Sequence, residues 1–169
     1  MRNRLLNRHT RSRDTEGMAA LKERIRTELT QSMRDRNKLR SSTLRLLLSA
    51  ITTEEVAGDT ARELSDDEVT SVLAREAKKR REAATAFGDA GRDELATKEL
   101  AEEQVIAEFL PAPLSDGEVS QLVARTIAEL GVADQGMRAM GQVMKAVQPQ
   151  TKGRADGASV AAEVRRQLS

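Results

Sequence analysis

From Met18 onward the apolar residues Leu21, Ile25, Leu29 and Met33 recur at every fourth position, the spacing that lines one face of an α-helix. This predicts a first helix over about 18–36, with those four residues as its buried stripe. The segment "NKLRSSTLRLLLSAITTEEVAG" follows, with Leu39, Leu44, Leu46, Leu47, Leu48, Ala50 and Ile51 spread over an arc too wide for a surface helix. A second, central helix is expected, stopped at Gly58. In "LSDDEV", Ser65 and Glu68 have the spacing of a capping box, and acidic residues complement the positive end of the helix they open. That third helix carries Val69, Val72, Leu73, Ala77, Ala84 and Phe87 and ends near Gly88 and Gly91. A fourth, about 92–109, shows Leu95, Ile106, Phe109 and Leu110 and stops before Pro111.

"LPAPLSDGEV" marks a boundary: Pro111 and Pro113, then a second cap of the same form at Ser115 and Glu118. Helix five presents Val119, Leu122, Val123, Ile127 and Leu130 and closes at Gly131. Helix six, about 137–147, shows Met137, Met140, Val143, Met144 and Val147, its methionines read as filling of a small core or as a plastic interaction surface. Helix seven, about 157–168, is capped by Asp156 and shows Val160, Val164 and Leu168. The pattern therefore predicts an all-α fold of about seven helices in two packed subdomains, four helices over 18–110 and three over 111–169. Residues 1–17, with Arg2, Arg4, Arg8, Arg11 and Arg13, read as a disordered basic tail, either a functional arm or the product of a start codon upstream of Met18.

Composition narrows the chemistry. The chain has no Cys and a single His, His9, in the basic tail. Thiolate nucleophiles and cysteine zinc sites are excluded, no histidine base is expected within the folded part, and the lack of Cys fits a reducing, cytoplasmic compartment. Aromatics make up 1% of the chain, Phe87 and Phe109 alone, which removes the platforms on which unpaired bases stack. No apolar run approaches the roughly 20 residues of a membrane span. The net charge is +1, with 28 basic and 27 acidic residues. Any polyanion site must therefore be a local patch, sensitive to salt.

Candidate patches follow. "REAKKRRE" places Arg75, Lys78, Lys79 and Arg81 on the outer face of helix three as candidate phosphate contacts. Glu76 and Arg80 fall inside its apolar arc one turn apart, where they form either an interhelical salt bridge holding register or the edge of a polar pocket. "RDRNKLR" brings Arg34, Arg36, Lys38 and Arg40 across the turn between helices one and two, as a solvated helix end or part of the same phosphate surface. Neighbouring acids such as Glu54–Glu55, Asp66–Asp67 and Glu102–Glu103 do not face each other on a helix, and no motif organises them around a metal or as a catalytic pair. "GRADG" lacks the spacing and lysine of a nucleotide-binding loop. It reads as a capped turn, with Lys152 and Arg154 free to contact phosphate from the loop side, or with Arg154 paired to Asp156.

"LKERIRTEL", "RLLLSAI", "ARELSDDEV", "REAKKRREAATAFGDAGR", "EEQVIAEFLPAPLS" and above all "MGQVMKAVQPQTKGRADGASV", in this order, resemble the small bacterial YqeY proteins. Their domain is similar to the C-terminal tail of the B subunit of the tRNA-dependent amidotransferase. The resemblance covers Met18 to the end and implies two helical subdomains. It also implies an association with a carbon-nitrogen ligase that uses glutamine as amido donor, an activity of the whole complex whose catalytic parts this chain lacks. The expectation is a non-catalytic, tRNA-associated module without catalytic residues, cofactor or metal. The alternative is an adaptor docking on an amidotransferase or aminoacyl-tRNA synthetase, and a third reading is an enzyme in its own right. Neither membrane nor DNA is expected as a partner.

Overall fold

The computed structural model of the chain describes residues 20–169; the basic tail over 1–17 and the start of helix one at Met18 lie outside them. The described residues form seven α-helices and no strand: α1 (Ala20–Arg34), α2 (Lys38–Glu55), α3 (Asp66–Asp89), α4 (Asp93–Ala107), α5 (Asp116–Leu130), α6 (Met140–Thr151) and α7 (Gly157–Leu168). A 3-10 stretch over Ala133–Ala139 precedes α6. Contacts divide the chain into two compact units, one ending at Phe109 and the other spanning Leu110–Ser169.

In the first unit, α2 is packed by α1, α3 and α4, while α3 and α4 form a closely packed hairpin. The core gathers Ile25, Leu44, Leu47, Ile51, Leu73 and Ile106, each without exposed surface. Two expected stripes are corrected. On α1 the spacing of four residues overshoots the helical turn by about 40° at each step. Ile25 therefore sits at the centre of the buried face, Leu21 and Leu29 are half-buried beside it, and Met33 is carried out to 45% exposure. Ser32, angularly closer to Ile25, is buried in its place, and its hydroxyl meets that of Ser41 at 2.9 Å. On α4, Leu95 and Leu100 are exposed, and Phe87 near the end of α3 is half-buried.

The helix starts are set by side chains. Ser65 accepts from the Glu68 amide while Glu68 accepts from the Ser65 amide at 2.9 Å, and Ser115 and Glu118 repeat the arrangement. Asp156 accepts from the Ser159 amide at 3.0 Å to cap α7. Asp66 reaches further and accepts from the Leu21 amide at 3.0 Å, tying the start of α1 to the start of α3.

In the second unit, Val123, Val143, Val147 and Val164 are fully buried with Val119, Leu122, Ile127, Val160 and Leu168 around them. Helix six departs from its expected bounds of 137–147. It begins at Met140 and runs through Pro149 to Thr151. Pro149 cannot donate to the Lys145 carbonyl one turn before it, and the Thr151 hydroxyl donating to the Val147 carbonyl at 3.2 Å helps to close that turn. The methionines do not fill the core: Met137 is 49% exposed and Met140 and Met144 only flank the valines. Gly136, at φ 56° and ψ −142°, breaks the register before α6, in a region open essentially to glycine alone.

Two half-buried carboxyls report on these contacts. The hydrogen bond from Arg62, then that from the Ser65 amide, hold Glu68 down at about 2 from an ordinary 4.5. Arg166, then Gln167, do the same for Glu163, also to about 2. A depressed carboxyl stabilises the fold above its unfolded value and loses that contribution as pH falls through the folded one. The stability difference between the parent and a Glu68→Gln, Glu163→Gln protein is therefore expected to be full above about pH 5 and to vanish towards pH 2. Urea midpoints followed by circular dichroism across that range measure it, and a difference independent of pH would contradict it.

Candidate nucleic-acid interface

The outer face of α3 is a band of cations held by carboxylates. Arg75 reaches Glu54 of α2 at 3.0 Å, Arg81 reaches Glu103 of α4 at 2.7 Å, and Lys79 reaches Glu76 at 2.7 Å. Lys78 is exposed beside them. The band thus ties α3 to both neighbours, and each acid offsets a charge that a phosphate would otherwise meet. The sequence marks the basic residues, but their acids lie on other helices and become partners only through packing.

Under this band lies a buried charge cluster. Glu76 and Arg80 form an ion pair within α3, and Glu102 of α4 stands 3.5 Å from Arg80 Nε. The three side chains are 13%, 11% and 9% exposed. Arg80 Nε is buried and makes no hydrogen bond, so Glu102 serves it at ion-pair distance without the alignment of a donor and acceptor. Burial pushes the Glu76 carboxyl up, but the hydrogen bonds from Lys79 and Arg80 outweigh it and leave the group below its ordinary range. The cluster is interhelical through Glu102, which sequence reasoning passed over as one of two neighbouring acids. The signal was available: Glu102 lies one turn before the fully buried Ile106, on the same helical face.

A different basic group is less encumbered. Between α1 and α2 the chain turns at Arg36, whose φ of 56° is left-handed. Arg40 faces inward, paired with Glu28 at 3.0 Å and Glu108 at 2.8 Å. Burial opposes its charge, and the bonds to Glu108 and Glu28 more than restore it. Arg34, Arg36 and Lys38 are exposed and have no carboxylate partner among the described residues. Nearby, Arg45 lies across α1 with its guanidinium 3.0 Å from the sulfur of the exposed Met33.

In the second unit the "GRADG" stretch is a turn. Gly153, at φ 71°, takes the left-handed position after α6, and the Arg154 and Ala155 amides both donate to the Thr151 carbonyl at 2.9 Å. Arg154 does not face a ligand freely. Its Nε donates to the Ala112 carbonyl at 2.9 Å, and its own carbonyl accepts from the Leu114 amide at 2.7 Å, clasping the proline segment. Lys152 stays exposed, with Lys145 two turns earlier on α6.

Among the described residues no group of three His, Asp or Glu side chains could hold a metal ion, and no helix is long and apolar enough to cross a membrane.

The family model described as "Yqey-like protein" matches residues 22–168. An uncharacterized protein of Schizosaccharomyces pombe is 38% identical over 93 residues, which cover 54% of this chain and 73% of that protein.

Proposed function

The chain belongs to the Yqey-like protein family, and from that premise we propose that it is a non-catalytic, tRNA-associated module that holds folded RNA by phosphate contacts and shape. The observation that carries this reading is the α1–α2 turn, where Arg34, Arg36 and Lys38 present three cations within five residues, unpaired among the described residues. Such a group releases counterions from an RNA backbone more readily than the α3 band, whose cations must first leave their acids. The amidotransferase tail that the sequence resembles engages tRNA, which supports the choice of ligand. An amide-forming activity using glutamine would reside in a larger assembly.

The test is tRNA binding by the full chain at several salt concentrations. Arg34→Ala, Arg36→Asn and Lys38→Ala together are expected to weaken binding about tenfold or more and to reduce the salt slope by about 3. Asn is used at position 36 because it tolerates a left-handed backbone. Lys78→Ala, Lys79→Ala and Arg81→Ala together are expected to cost less. Absence of any tRNA binding at about 50 mM salt would overturn the proposal.

Exposed apolar side chains beside the same turn, Met33 and Leu46 at 45% and 49%, favour the second reading, an adaptor for an amidotransferase or aminoacyl-tRNA synthetase. That reading is supported if such a partner stays bound after nuclease treatment and is lost in Leu46→Glu.

A further inference from the structure

The second unit contains a cleft of about 470 Å³ between α6, the turn after it and the start of α7. One wall is a single face of α6, with Gly141, Met144 and Lys145 in its first turns and Lys152 at its end; Gly157 and Val160 of α7 form the other. The volume is that of a small-molecule site. Its floor is apolar and its two charges are of one sign. Lys145 and Lys152 are exposed, have no carboxylate partner among the described residues, and lie two turns apart on the same helical face. Asp156, which caps α7, is not among the lining residues.

Two glycines, Gly141 and Gly157, line the same cleft. Neither Gly141 nor Gly157 has a left-handed backbone, and a Cβ on either would meet no atom within 4 Å. Neither packing nor conformation therefore requires glycine at these positions, and glycine weakens a helix. What the two positions share is the cleft, which both leave open to the backbone.

We propose that this cleft binds a nucleoside monophosphate unit, its phosphate between Lys145 and Lys152 and its base or ribose over Met144. A phosphate answers the paired ammonium groups, and a flat, polarisable body suits a thioether wall in a chain with no aromatic residue here. The unit is either a free mononucleotide or an unpaired nucleotide of an RNA; for the second source the inference rests on the RNA-binding reading above.

The test is an amide NMR titration of the full chain with adenosine and cytidine 5′-monophosphate, an RNA hairpin carrying one bulged nucleotide, and inorganic phosphate. Mononucleotide binding is expected to move amides within 141–160 and to weaken about tenfold in Lys145→Gln, Lys152→Gln. It should be abolished in Gly141→Leu, whose side chain fills open space and leaves the remaining spectrum folded. Movement with the hairpin alone would assign the site to RNA; movement with the mononucleotide would assign it to the free ligand. Either supports the cleft. No movement with either, movement outside the cleft, or equal affinity for inorganic phosphate overturns it. A silent cleft with tRNA still bound through the α1–α2 turn sinks this inference alone, and a mononucleotide bound without any tRNA affinity sinks only the proposed function.

Discussion

Arg80→Ala is expected to destabilise the protein by about 3 kcal/mol, the lower end of the range for breaking a buried ion pair. Arg80 is the cation between two buried carboxylates, Glu76 on α3 and Glu102 on α4. Its loss leaves both acids out of water with only the rim lysines, Lys79 at 2.7 Å from Glu76 and Lys98 at 3.9 Å from Glu102. Those lysines are why the upper end of the range is not expected. Because the cost comes from stranded charge, removing all three groups together in Glu76→Leu, Arg80→Met, Glu102→Leu is expected to recover most of it. Urea unfolding followed by helical circular dichroism measures both proteins. A loss below about 1 kcal/mol in Arg80→Ala would show that water reaches the acids.

Leu47→Ala is expected to cost about 2–5 kcal/mol, while Leu46→Ala costs less than about 0.5. The two residues are neighbours in the run Leu46–Leu47–Leu48, equivalent in chemistry and in local propensity. Leu47 is fully buried among the helices that pack on α2, and Leu46 is 49% exposed. Truncating Leu47 removes apolar contact and leaves a cavity; truncating Leu46 mostly removes surface that water already touches. The same urea measurements decide it, and equal losses would contradict the placement of α2.

The arc of leucines on α2 shows how far the chain could be read without its fold. Three consecutive leucines about 100° apart cannot all face one neighbour, yet nothing local says which of them does. The α1 stripe failed for a related reason: a spacing of four residues drifts around the helix, and only the position of α2 selects Ile25 and Ser32 over Met33.

Functional residues divide along the same line. Ser65, Ser115 and Asp156 act on amides three residues away, so their roles are visible in a short window. The cations of the α3 band are equally visible, but their partners Glu54 and Glu103 lie 21 and 22 residues away in sequence. Whether such a cation is free or neutralised depends on helix packing. The difference between the α3 band and the α1–α2 turn, which redirects the proposed RNA contact, was for that reason invisible in the sequence.

By itself the sequence determined the all-α class and the capped starts of α3, α5 and α7, because periodicity and caps are local properties. Tertiary structure alone decided that Glu102 closes the cluster around Arg80, that Arg154 clasps the Ala112–Leu114 segment, and that Lys145 and Lys152 border one open cleft. Each of these depends on the distance between groups on different elements, and that distance exists only once the apolar faces have packed.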